Sequence, residues 1–199
     1  MNRSSPDHYT KKAKRSGYAA RSVYKLAEIQ EKLTILRPGS RVLDVGAAPG
    51  SWSQFALNVI GRSGFLCAVD IKPIHAVGPG DNRVLIEGTI EDEAVIARLG
   101  QHGPYDAIIS DAAPSTTGNR SVDTARSEAL FELVFSLASR LLLPGGSFTA
   151  KLFQGGGEQR LLQEIRNEYR KGRIMKPAAC RKNSFEIYLV GIDKQVKKE

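Results

Sequence analysis

Cysteine is close to absent. Cys67 lies in an apolar run and Cys180 in a basic loop, and neither has a second cysteine or a histidine at metal spacing. A disulfide scaffold and a cysteine-built zinc site are thereby excluded, and free thiols in a reducing compartment are expected. Histidine is scarce as well: His8, His75 and His102 stand apart in polar surroundings, so no metal is expected. Long hydrophobic runs are missing, none approaching the ~20 residues of a membrane span. The segment from Met1 to Lys14 carries Asp7 and lacks the apolar stretch of a secretory signal. A soluble protein of the cytoplasm is expected, with an organelle matrix as the alternative and no membrane association. Repeats, low-complexity tracts and linkers rich in Pro, Gly or Ser are absent too, which argues against division into several domains.

What is there fits one domain. A chain of 199 residues, 41% hydrophobic and 25% charged, can bury roughly 70% of its unfolded surface without staples. The expected layout is a basic, flexible arm over residues 1–18, one domain over 19–193 and a charged tail over 194–199. The formal charge of +8 is segregated. Lys11, Lys12, Lys14, Arg15, Arg21 and Lys25 occur with no acid between Asp7 and Glu28. Arg170, Lys171, Arg173, Lys176, Arg181 and Lys182 occur with none between Glu168 and Glu186. One such run is usually a solvated face, whereas two flanking a single site point to a polyanion track. Tyr9, Tyr18 and Tyr24 are interleaved with the first run and offer rings on which bases can stack.

Periodicity predicts strands and helices in alternation. Helical spacing at Val23, Leu26, Ile29 and Leu33 places Lys25 on a helix over Ala19 to Leu33. Strands are expected at Arg41 to Val45, Phe65 to Asp70, Arg83 to Glu87, Asp106 to Asp111, Ser147 to Leu152, Gly172 to Lys176 and Phe185 to Ile192. Between them, helices are expected at Ser51 to Ile60, Glu91 to Leu99, around the stripe Leu130, Val134, Leu137 and Leu141, and at Glu158 to Tyr169. Such alternation implies an α/β fold with a mostly parallel sheet covered on both faces, and ligands outside the carboxyl ends of its strands.

The segment Val42 to Trp52 is an apolar strand running through small residues into a helix. Gly46 and Gly50 let backbone approach a ligand, but the spacing is GxxxG rather than the GxGxxG of dinucleotide folds. A nicotinamide cofactor loses ground, and a hydride-site His or Tyr constellation is also lacking. Twenty residues past Gly50, Asp70 closes the next strand, where its carboxylate suits the two hydroxyls of a ribose. Trp52, the only tryptophan, stands between a core role and a ligand role.

Lys25, Asp111, Lys151 and Glu186 fall in segments that end a strand or open a helix beside this loop. Singly, each reads as a salt bridge: Lys25 with Glu28 on its helix, Lys151 with Glu186 across neighbouring strands. Yet Lys151 and Glu186 interrupt otherwise apolar strands, where an unpaired charge costs several kcal/mol. Such placement marks a functional site.

Together these segments resemble the FtsJ/RrmJ family of S-adenosylmethionine-dependent RNA ribose 2′-O-methyltransferases. The resemblance runs from Tyr9 to Val190 through Gly17 to Leu26, Asp44 to Gln54, Ser110 to Gly118, Lys151 to Gly155 and Ser184 to Val190. It implies a Rossmann-like class I methyltransferase fold with a seven-stranded sheet. It also implies a catalytic tetrad of Lys25, Asp111, Lys151 and Glu186, with Lys151 the base or charged positioner of a ribose hydroxyl. S-adenosylmethionine would lie against Gly46, Ala48, Pro49, Gly50, Ser51 and Trp52, with its ribose on Asp70 and further contacts at Ile71, Thr89 and Asp111. RNA would run over Lys11, Lys12, Lys14, Arg15, Arg21, Arg181 and Lys182. The implied substrate is a uridine of large-subunit, 23S-type ribosomal RNA, with no obligate protein partner. A transfer RNA, or an inactive RNA-binding module on the same fold, are the alternatives. Two positions depart from the family's pattern: Gly50-Ser51 where two glycines are common, and Thr89 where an acid usually meets the adenine, with Glu87 as its substitute.

Overall fold

The structure is a computed structural model that describes residues 8–181 and 183–196. Seven strands form one sheet in the order β3-β2-β1-β4-β5-β7-β6. They are β1 (Arg41–Val45), β2 (Phe65–Asp70), β3 (Arg83–Glu87), β4 (Tyr105–Ser110), β5 (Leu142–Phe153), β6 (Tyr169–Met175) and β7 (Glu186–Lys194). Pairing is parallel from β3 across to β5, and β7 runs antiparallel to both β5 and β6. The helices are α1 (His8–Arg15), α2 (Val23–Leu33), α3 (Ser51–Ile60), α4 (Glu93–Gln101), α5 (Arg120–Leu141) and α6 (Glu158–Glu168).

Alternation along the strands splits the apolar residues between two faces. Leu43, Val45, Cys67, Val69, Ile108 and Leu152 pack under α4, α5 and α6, with Phe131, Phe135 and Phe148 at the centre. Val42, Leu66, Ala68, Ile109, Tyr188 and Val190 pack under α2 and α3 with Leu26, Ile29 and Trp52. Each such side chain contributes about 1.5–3 kcal/mol by leaving water. The strand order reverses between β1 and β4, which opens a crevice at their carboxyl ends.

Several element bounds differ from the periodic reading, and four show why. Helix α2 starts at Val23 rather than Ala19, because residues 18–22 form turns that bind α3: Ala19 N donates to Gln54 Oε1 (3.0 Å) and Asn58 Nδ2 to Tyr18 OH (3.3 Å). The arm's described part is helical from His8, with Ala13 buried, and so lies folded against the domain. Helix α5 begins ten residues ahead of its apolar stripe, at the cap Asn119, whose side chain accepts from Ser121 N (3.1 Å) and Val122 N (3.3 Å). Strand β7 runs on to Lys194, whose Nζ donates to the carbonyls of Ala138 (3.0 Å), Ser139 (2.8 Å) and Leu142 (2.9 Å) at the carboxyl end of α5.

Candidate active site

A cavity of about 310 Å³ sits at the switch between β1 and β4. Its walls come from the loop after β1 (Gly46, Ala48), the end of β2 (Asp70, Ile71), the turn after β3 (Gly88, Thr89, Ile90) and the loop after β4 (Asp111, Ala112, Ala113, Ser115). Gly46 has φ +72°, and a Cβ there would collide with Ala112, so only glycine lets these two loops meet. Asp70 accepts from Ala48 N (2.9 Å) and Lys72 N (2.8 Å), one bond to each carboxylate oxygen, which fixes the group at the cavity wall. Lone pairs remain on both oxygens for a diol. Asp123 holds the wall after β4: it accepts from Thr117 N (2.7 Å), Thr117 Oγ1 (2.9 Å) and Gly118 N (3.1 Å). The Thr117 N–H, chiefly, keeps that carboxyl below the usual carboxylate range.

Asp111 lines this cavity and is also the centre of a charge cluster. Lys151 Nζ lies 3.1 Å from Asp111 Oδ1 and donates to the Asp111 carbonyl (2.6 Å). Lys25 Nζ, from the buried face of α2, lies 2.9 Å from Glu186 Oε1 and 3.8 Å from Asp111 Oδ1. All four predicted charges are therefore contiguous, with side chains between 8% and 16% exposed. The pairings differ from the salt bridges read singly: Glu28 takes Lys32 (2.6 Å), and Lys151 takes Asp111 instead of Glu186. Register explains this, since Lys151 faces Tyr188 across β5 and β7 while Glu186 faces Phe153.

Tyr188 is the member that motif reading missed. Its hydroxyl donates to Asp111 Oδ1 (2.5 Å), and burial pushes the phenol well above its ordinary range, so it stays a donor. It stands two residues past Glu186 on the same face of β7, and period-two counting alone would have found it.

The predicted cofactor residues divide into two groups. Gly46, Ala48, Asp70, Ile71, Thr89 and Asp111 line the cavity, whereas Pro49, Gly50, Ser51 and Trp52 lie outside its walls. Trp52 is buried, donates from Nε1 to the Ser22 carbonyl (2.9 Å) and packs on Tyr188 with ring centroids 5.6 Å apart. With Ser51 Oγ against Ser22 Oγ (2.9 Å), it clamps the start of α2 and hence the helix that carries Lys25. The Thr89 hydroxyl contacts the Glu91 side chain (3.4 Å), and Glu87 is exposed outside the cavity wall.

Of the predicted RNA contacts, Lys11, Lys12, Lys14, Arg15 and Arg181 are exposed. Arg21 is partly occupied, donating to the Ala179 carbonyl (2.6 Å) and lying over Tyr9 (5.5 Å). Lys182 lies outside the described residues.

A family model described as FtsJ-like methyltransferase matches residues 18–194, the whole span from the arm's end to the last strand. The chain belongs to this family. Among its relatives, "Ribosomal RNA large subunit methyltransferase E" of Treponema denticola is 46% identical, the match covering 96% of each chain. The protein of the same name from Syntrophobacter fumaroxidans is 48% identical, with 94% of each covered. A Plasmodium falciparum protein, solved under the name of a ribosomal RNA methyltransferase, superposes with a TM-score of 0.77 at 26% identity, covering 90% of this chain and 100% of that one. Human methyltransferase-like protein 13 shares the fold at 18% identity, with a TM-score of 0.58 and 98% of this chain and 84% of that one covered. The FtsJ-like chain is thus a methyltransferase, with S-adenosylmethionine as methyl donor. The cavity suits that donor: it offers a fixed carboxylate for a ribose, a close-packed glycine turn, and an opening onto a buried charge cluster.

Proposed function

We propose that this FtsJ-like enzyme methylates a ribose 2′-hydroxyl of RNA, and that large-subunit ribosomal RNA carries that ribose. The observation that carries the reading is Asp111, which is at once a wall of the cofactor cavity and the hub of Lys25, Lys151 and Tyr188. A hydroxyl held at the hub would therefore face the donor directly. The relatives' shared name supports the ribosomal substrate, and the basic surface of α1 supports a polyanion.

Bound in the cavity, S-adenosylmethionine supplies a methyl group activated by the positive charge on its sulfur. The chain's own residues do the rest. Lys151, held in place by two contacts to Asp111, meets the hydroxyl as its proton departs, either taking the proton or steadying the oxyanion. Asp111, held by the Tyr188 hydroxyl and flanked by the Lys25 and Lys151 ammoniums, orients Lys151 and adds negative charge next to the cationic donor. Glu186 fixes Lys25, which sets the field around the ribose. Because every member is anchored, the cost of orientation is met before substrate arrives. The relatives' bacterial origin supports a cytoplasmic setting for the reaction. Among the described residues no helix is long and apolar enough to cross a membrane.

The test is transfer of labelled methyl from S-adenosylmethionine to large ribosomal subunits and, separately, to transfer RNA, followed by nucleoside analysis. Label in a 2′-O-methylnucleoside of the large-subunit RNA is expected. Label only in transfer RNA overturns the substrate, and label in base-methylated nucleosides overturns the chemistry.

A further inference from the structure

Of the seven phenylalanines, Phe131, Phe135 and Phe148 are in the core under α5, and Phe55 and Phe65 pack against one core or the other. Phe153 and Phe185 join neither core. Their rings contact each other instead, with centroids 4.8 Å apart and planes at 62°, and both side chains are half-buried. An aromatic pair outside both cores keeps part of its apolar surface available to a ligand.

Its place suggests which. Phe153 is the last residue of β5, two residues past Lys151 on the same face, and is in register with Glu186. Two residues along a strand span about 7 Å. That is the scale separating a ribose hydroxyl from the ring of its own base. Phe185 immediately precedes Glu186, and its backbone is pinned by the bond from Gln154 N to the Phe185 carbonyl (2.8 Å). The exposed Arg120, first residue of α5, sets its guanidinium over the Phe185 ring at 5.4 Å. Among the described residues Arg120 has no carboxylate partner, which leaves its charge for a phosphate or a base.

We propose that Phe153, Phe185 and Arg120 form the subsite for the target nucleobase, a stacking platform that takes the base out of its helix while its ribose enters the Lys151–Asp111 hub. The inference rests on the RNA ribose reading above. The hub is recessed, its side chains only 8–16% exposed, so a ribose that reaches it has to leave its stack, and stacking on aromatic and guanidinium planes compensates for the stacking lost. Such a platform accepts any base by its face, so it orients the nucleotide without selecting sequence.

The experiment is steady-state methyl transfer to large ribosomal subunits from cells lacking this methylation, using wild type, Phe153→Leu, Phe185→Leu and Phe185→Tyr. Leucine keeps apolar volume and removes the ring, whereas tyrosine keeps it. Each leucine variant should lose about tenfold in kcat/KM, Phe185→Tyr should stay within about twofold, and calorimetric affinity for S-adenosylmethionine should be unchanged in all. Leucine variants as active as wild type would overturn the platform and leave the RNA reading standing. So would a parallel loss of cofactor affinity, which would make the pair a structural prop. A wild type that transfers nothing to the RNA would remove the reading and the platform together.

Discussion

Asp111 Oδ1 receives Lys25, Lys151 and Tyr188, and that crowding makes the site rigid as well as charged. The two lysines neutralise the carboxylate, but only the tyrosine adds a short, neutral and directional bond. Tyr188→Phe should therefore lower kcat by about tenfold, the worth of a hydrogen bond to a charged group, while Trp52 still packs on the ring and cofactor affinity holds. Parallel kinetics and calorimetry would check this. A second buried carboxylate behaves differently. Asp44, wholly buried on β1, has Ser53 Oγ on one oxygen (2.6 Å) and, among the described residues, no partner on the other, and desolvation pushes its pKa up to about 7. With a folded pKa above the unfolded 3.8, the folded state holds the proton longer. The contribution to stability is then complete below the unfolded value and lost as pH rises through the folded one. Between about pH 5 and pH 8 wild type should lose roughly 2–3 kcal/mol relative to Asp44→Asn, read from urea midpoints of both proteins.

At the scale of elements, two loops after parallel strands make the cofactor wall, and their contact depends on one glycine. Gly46→Ala combines a strained positive φ with a collision against Ala112, so the loops must part. Cofactor affinity should fall at least tenfold by calorimetry, with the fold kept, since Gly46 lies at the rim and not in either core. Strands β1, β2 and β3 were legible to the residue, because each is a short apolar run closed by an acid, glycine or proline turn. Helix starts were less so. The apolar stripe of α5 begins eleven residues after its polar cap, and α2 loses its first turn to hydrogen bonds with α3 that only tertiary contact creates. For the site, buried charge in apolar strands pointed to Lys151 and Glu186. The pairing among the four depends on the β5 and β7 register and on the approach of α2, which no local pattern contains. Trp52 illustrates the same limit: its place beside the loop left a core role and a ligand role open, and only the structure shows its buried indole N–H on the Ser22 carbonyl.

Over the whole molecule, the formal charge is +8, and α1 presents Lys11, Lys12 and Lys14 to solvent. Replacing those three with glutamine should weaken binding to large-subunit RNA uniformly. The salt dependence, log K against log salt, should become shallower by about 2, at roughly 0.7 per single-strand phosphate contact. Titration at several salt concentrations would show it. On the proposed reading, the buried hub at the mouth of the donor cavity performs the transfer. Its most direct test compares wild type with Lys151→Ala for transfer of labelled methyl to large ribosomal subunits, alongside calorimetric affinity for S-adenosylmethionine. Transfer should fall by at least about a hundredfold with donor affinity unchanged. A Lys151→Ala enzyme that still methylates the RNA at the wild-type rate would contradict it.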